Sequence, residues 1–266
     1  MSTKLVIDQN GNLVLISGGL CVRPPTPGDA TGFAMYFFGA NTLNGYQLHK
    51  YENDTLSGAM DLQCTYNSGG NDYLGNINCA VLDNSGNLYV GGYFQSIGGI
   101  AAKNIAKYNI ETNTWIALGN GVSYDDEGEV YSMAFDNAGN LYIGGYFNAM
   151  GDENPCANFA KYSSTGVWSD VFTVIQEESA DNAEVYILTY DSVNNVLYIG
   201  GYFDQISQDR NNVSVSGIAK YDITANTISD LTDGGCYNVA SEYLGGVNRI
   251  SFSQTNMALY IYGDFD

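Results

Sequence analysis

Two acidic runs carry the side chains best suited to chemistry. They are Asp125-Asp126-Glu127-Gly128-Glu129 and Glu177-Glu178-Ser179-Ala180-Asp181-Asn182-Ala183-Glu184. Glu129 and Glu184 occupy corresponding places in an internal repeat, and Asn76 occupies the same place in an earlier copy. Carboxylate and carboxamide oxygens are the ligands a hard cation prefers, so Asn76, Asp125, Asp126, Glu129, Glu177, Glu178 and Glu184 form the candidate binding set. Glu129 and Glu184 are the candidate ligands of a Ca²⁺ ion, the one cofactor the sequence suggests. The competing and simpler reading is a solvated acidic rim. Paired acids also serve glycoside hydrolysis, provided the two are held about 5–10 Å apart across the scissile bond. Nothing in the sequence fixes that separation, and no catalytic residue is assigned.

Other chemistries are excluded or weakened by composition. The chain holds one histidine, His49, so a centre built from several histidines cannot be assembled. Lys and Arg number 9 against 29 Asp and Glu, a formal net charge of −20. Binding to nucleic-acid phosphates depends on clustered basic residues and is not expected; a cation or a basic partner suits this balance better. Four of the lysines, Lys50, Lys107, Lys161 and Lys220, recur at one repeat position, which suggests a structural partner for an aspartate or carbonyl. The five cysteines, Cys21, Cys64, Cys79, Cys156 and Cys236, are irregularly spaced and read as reduced thiols. No apolar run approaches the roughly 18 residues of a membrane span, and the first residues lack the apolar core of a signal peptide. The expectation is therefore a cytoplasmic or virion location, without membrane insertion.

The elements that must position these residues are repeats. Leu88-Tyr89-Val90-Gly91-Gly92-Tyr93-Phe94 returns as Leu141-Tyr142-Ile143-Gly144-Gly145-Tyr146-Phe147 and as Leu197-Tyr198-Ile199-Gly200-Gly201-Tyr202-Phe203. Worn copies stand at Met35–Asn41 and Leu259–Phe265. A second signature follows each full copy: Ile105-Ala106-Lys107-Tyr108, Phe159-Ala160-Lys161-Tyr162 and Ile218-Ala219-Lys220-Tyr221. A third, apolar and mostly ending in Asp, precedes it. Each unit of roughly 50 residues thus reads as four short strands, the pattern of a propeller blade. Turns such as Asn84-Ser85-Gly86-Asn87 suit the left-handed backbone of hairpins. The glycine pair suggests close backbone approach, and the Tyr and Phe after it are expected to pack between blades.

Together these motifs, with Trp115 and Leu118-Gly119-Asn120-Gly121-Val122, resemble the kelch-like repeats of the galactose-oxidase central-domain type. That family includes bacterial surface proteins, fungal cell-polarity markers and proteins of large DNA viruses. The resemblance is strong over residues 75–266 and faint over 1–66. The copper-oxidase chemistry of the type does not carry over to a chain with one histidine.

The expected architecture is all-β: a single five-bladed β-propeller domain over residues 1–266. Its blades fall at about 20–66, 75–122, 128–175 and 183–233, with a fifth composed of 245–266 and 1–19. Leu5-Val6-Ile7-Asp8 and Leu13-Val14-Leu15-Ile16 supply the strands that the last copy lacks, and closure removes exposed strand edges. In such a ring Asn78, Tyr131, Tyr186 and Asn248 face the central channel. The leading functional expectation is a non-catalytic binding or structural propeller that presents its acidic loop face to a protein or glycan partner, as a component of a virion or other surface. The alternatives are a lectin, using tyrosines beside Asn and Asp, and a glycosidase. Against the lectin stands the expectation that Tyr93, Tyr146 and Tyr202 are core residues.

Overall fold

In the computed structural model, side chains are described for residues 64–109, 111–124, 128–152, 154–175, 183–208, 211–231, 246–253 and 258–263. Backbone strands are described in addition within 5–62 and 237–244. All the regular structure among these residues is β. No helix among the described residues is long and apolar enough to cross a membrane. The chain divides into two compact units, Met1–Leu118 and Gly119–Asp266.

Each unit is built from four-stranded antiparallel meanders. In the first unit Leu20–Val22, Ala34–Asn41, Gly45–Glu52 and Thr55–Leu62 pair in sequence order. A second meander joins Asn76–Leu82, Leu88–Tyr93, Ile105–Asn109 and Thr114–Ala117. In the second unit one meander runs through Glu129–Phe135, Leu141–Tyr146, Phe159–Tyr162 and Trp168–Ser169. The next runs through Glu184–Asp191, Val196–Tyr202, Ile218–Asp222 and Thr227–Asp230. Val247–Ser253 pairs with Ala258–Gly263 as a two-stranded sheet, and so does Leu5–Ile7 with Leu13–Leu15. No ladder joins these last two pairs among the described strands.

The apolar alternation explains the packing. In the second unit Tyr142, Phe159, Phe172, Leu197, Ile199 and Phe203 fill one core between its two meanders. Phe159 and Phe172 stack at 4.1 Å. Ile218, Val247 and Ile250 continue the core to the closing pair. Burying a side chain of this size is worth about 1.5–3 kcal/mol. In the first unit Leu88, Val90, Phe94, Ile97 and Tyr108 form the equivalent cluster.

Three devices recur with the repeat. The aspartate closing three of the first strands folds its turn: Asp136 Oδ1 accepts from the amides of Ala138 and Asn140, and its Oδ2 from the Asn140 side chain. Asp83 and Asp191 do the same. The lysine of the third strand answers this aspartate in the first unit, where Lys107 Nζ lies 3.6 Å from Asp83 and 5.2 Å from the Tyr89 ring. Finally, Asn104 and Asn158 sit buried at positive φ, 63° in each case, where asparagine is one of the few tolerated residues. Their side-chain oxygens accept from the amides of Phe94 and Phe147, locking the entry to the third strand.

The segments expected to be plain loops are themselves sheets. Cys64–Ser68 and Asn71–Leu74 form a hairpin that pairs with Ser96–Ile97, which pairs with Ile100–Ala101. Val122–Ser123 pairs with Ala149–Met150, and Thr173–Ile175 with Gln205–Gln208. In each repeat the loop before the first strand is thus hydrogen-bonded to the loop after the second. This places both at one end of the meander.

Candidate functional site

That end of the meanders holds the described members of the predicted set, Asn76 in the first unit and Glu129 and Glu184 in the second. Glu129 opens the first strand of its meander and lies opposite Tyr146, the last residue of the second strand. Glu184 lies opposite Tyr202 in the same way, and Asn76 opposite Tyr93. The sequence alignment of Asn76, Glu129 and Glu184 is therefore also a structural equivalence.

A β-bulge follows each of these residues. The ladder shifts between Val130 and Ser132, between Val185 and Ile187, between Val247 and Arg249, and beside Gly91/Gly92. The extra residues are Tyr131, Tyr186, Asn248 and Asn78, the four positions expected to line a channel. The second glycine of the pair makes room for the bulge. A Cβ on Gly145 or Gly201 would run into the carbonyl oxygen of Glu129 or Glu184, and one on Gly92 into that of Asn76. The worn copy keeps this glycine as Gly263 and keeps the bulge.

In the second unit the bulge brings two carboxylates and two phenols together. The Tyr131 and Tyr186 rings lie 5.9 Å apart at 55°. The Tyr131 hydroxyl bonds Glu129, and the Tyr186 hydroxyl bonds Glu184. Burial pushes the Glu184 carboxyl above its ordinary value and the charge of Glu129 adds to the rise, while the bond from Tyr186 opposes it. Burial, then the charges of Glu129 and Glu184, hold the Tyr131 phenol well above its usual range. Both groups thus resist carrying negative charge.

The tyrosines after the glycine pairs correct the expectation that they are core. The core residues are the phenylalanines that follow, Phe94, Phe147 and Phe203, each 0% exposed. Tyr93, Tyr146 and Tyr202 are half-buried. They sit at the strand end, where alternation would turn them away from the core, but the sequence places both aromatics in one motif and does not separate them. Tyr146 stacks on Tyr124 at 4.7 Å and 15°, and Tyr93 meets Tyr66 at 4.6 Å. Tyr66 in turn stacks on Tyr73 at 5.5 Å. Tyr73 and Tyr124 escaped the sequence reading because they lie between the expected blades, and Tyr66 because it stands at the very end of one. The signal was present: each of Tyr66 and Tyr124 stands two residues after an apolar residue, Cys64 or Val122, that begins a small strand.

Of the other predicted residues, Asn78 and Asn248 are exposed. Asp125, Asp126, Glu177 and Glu178 lie outside the described residues. Among the described residues no group of three or more His, Cys, Asp or Glu side chains comes together. Trp115 and Trp168, on the fourth strands, pack on Tyr108 and Tyr162, each at 5.0 Å. Cys64, Cys79 and Cys156 are free thiols, and burial pushes Cys64 and Cys156 to about 11 and about 12.

Comparison with known proteins agrees with a propeller. Residues 60–171 match the sequence model of the Rax2 C-terminal beta propeller domain. No curated protein matches the chain. Among solved structures, the chain is similar to the GH74 enzyme of Niastella koreensis at 16% identity and a TM-score of 0.49, over 93% of this chain and 36% of that one. A second is PorZ, a bacterial surface component of the type-IX secretion system of Porphyromonas gingivalis, at 14% identity and a TM-score of 0.39, over 91% and 37%. A third is described as the extracellular domain of a one-component system of B. thetaiotaomicron, at 14% identity and a TM-score of 0.45, over 99% and 37%. The chain spans little more than a third of the length of these structures.

Proposed function

We propose that the protein is a non-catalytic binding propeller whose acidic, tyrosine-lined strand mouths are its contact face, displayed on a surface or particle. The observation that carries this reading is the Glu-Val-Tyr triplet placed identically on two neighbouring first strands, Glu129-Val130-Tyr131 and Glu184-Val185-Tyr186. Each glutamate is tied to a phenol. A hard cation such as Ca²⁺ is a candidate third member of this patch, with Glu129 and Glu184 its ligands.

The ring we propose is five-bladed and kelch-like, and is completed by the strands of residues 1–19. Two features support a further sheet over the closing pair. Tyr260 and Tyr262 are 57% and 69% exposed. Beside them runs a groove of about 320 Å³ lined by Arg249, Ile250 and Ile261. Apolar surface of this kind marks a contact site more often than a bare face.

Fluorescence anisotropy with labelled oligo-lysine and oligo-glutamate peptides tests the contact face. Oligo-lysine should bind in a salt-dependent manner, and the Glu129→Gln/Glu184→Gln double variant should bind it at least about threefold more weakly. Undiminished binding by the double variant would remove the mouth as the contact face.

A further inference from the structure

Two tyrosine stacks recur at one repeat position, and the reading above leaves them without a task. In the first unit the row runs Tyr73, Tyr66, Tyr93, with centroids 5.5 and 4.6 Å apart. In the second it runs Tyr124, Tyr146, at 4.7 Å and nearly parallel. Tyr66 and Tyr124 are equivalent: each follows the residue of a small strand that pairs with the segment after the glycine motif, Thr65 with Ser96 and Ser123 with Ala149. Tyr93 and Tyr146 are equivalent within the motif itself.

None of these rings is core. Tyr73 is 48% exposed, and the other four are half-buried. A ring that served only packing would follow the neighbouring phenylalanines inward. Each stack ends beside a polar side chain across the ladder, Asn76 opposite Tyr93 and Glu129 opposite Tyr146. Beyond Glu129 stand Tyr131 and then Tyr186.

The backbone under each stack is fixed on both sides. The second long strand holds one tyrosine and the small strand holds the other. In the first unit the hairpin is further tied by Thr65 Oγ1 to Ser96 Oγ at 2.7 Å and by the Asn67 amide to Gln95 Oε1 at 3.0 Å. Tyrosine offers a large face with few torsions to freeze, so such rings bind at low entropic cost. Half-wet aromatic faces, near-parallel in Tyr124/Tyr146 and Tyr66/Tyr73 with Tyr93 tilted 51° beside them, and bordered by a carboxamide or carboxylate, suit a pyranose. The C–H face of the sugar lies on the ring, and its hydroxyls donate to the Asn or Glu oxygen.

We propose that Tyr66/Tyr73/Tyr93 with Asn76, and Tyr124/Tyr146 with Glu129, are equivalent subsites for a neutral carbohydrate chain. The proposal rests on the binding reading above and names the class of its ligand. A protein ligand would meet the same face through basic side chains at Glu129 and Glu184 and would need the tyrosines less.

Affinity electrophoresis of the full chain through native gels containing soluble mannan, dextran, laminarin or galactan tests the proposal. The wild type should be retarded by at least one of them. Tyr73→Ala and Tyr124→Ala should each weaken retardation about five- to tenfold, since stacking on one ring is worth roughly 1–1.5 kcal/mol. Tyr124→Phe, which keeps the ring, should stay within about twofold of the wild type. Thermal midpoints read in parallel identify a variant that loses binding only by unfolding; Tyr73, the most exposed ring, then carries the test. Retardation unchanged in both alanine variants would overturn the subsites. No retardation in any gel, with oligo-lysine still bound, would overturn the carbohydrate class and leave the acidic contact face standing. Loss of both activities would overturn the binding reading itself.

Discussion

At the scale of single residues, environment separates side chains that composition treats alike. Glu184 and Glu129 share a patch, and Glu184 is held above its ordinary carboxylate value by burial and by that neighbour. A carboxyl whose folded value is raised binds more protons in the native state than in the unfolded chain. Stability is therefore lost as pH rises through the window between the unfolded and folded values, which starts near 4.5. Glu184→Gln should raise the midpoint of thermal unfolding at pH 7 by about 1–2 °C and make no difference below about pH 4. A variant less stable than the wild type at pH 7 would show that the charge of Glu184 is satisfied in the fold. Glu129 and Glu184 were legible in the sequence because the repeat aligns them. The rise in Glu184 was not, because it comes from burial at the strand mouth and from the charge of Glu129 beside it in the folded chain.

At the scale of elements, the glycine pair divides into two roles. The first glycine admits the neighbouring sheet: a Cβ on Gly144 would strike the Val185 side chain, and one on Gly200 would come 2.7 Å from Val247 Cγ1. The second admits the backbone of its own first strand. Side chains can shift and carbonyls in a ladder cannot, so the two substitutions should differ. Gly145→Ala should cost more than about 3 kcal/mol in urea unfolding, and Gly144→Ala about 1–3 kcal/mol. Equal costs would contradict the division. The sequence announces both glycines and the close approach, but does not say which neighbour each one faces. The four-strand meanders were legible for a related reason: alternation, turn residues and repetition agree at every copy from Asn76 onward. The small sheets at the strand mouths were not. Their strands, two to five residues long, carry no periodicity that would distinguish them from loops.

At the scale of the molecule, repetition makes the parts similar and leaves the ends to be accounted for. The described ladders pair Leu5–Ile7 with Leu13–Leu15, and Val247–Ser253 with Ala258–Gly263, while each full repeat pairs four strands. If residues 1–19 complete the last sheet, deleting them should yield a protein that aggregates or melts without a cooperative transition, read by light scattering and circular dichroism. A monomeric deletion product melting as sharply as the full chain would exclude the ring and leave an open array. The four-stranded character of the repeat was readable from the recurring motif. The partner of residues 1–19 was not, because Leu-Val-Ile and Leu-Val-Leu carry no feature that selects one partner strand over another.

Tyr262 stands where Gly144 and Gly200 stand in the preceding copies, and it is largely exposed. A neighbour shaped like the earlier modules would collide with its phenol instead of nestling against bare backbone. A sheet seated on this pair must therefore accommodate a phenol where the earlier copies present only a hydrogen atom, so the packing there differs in shape from that between the central repeats.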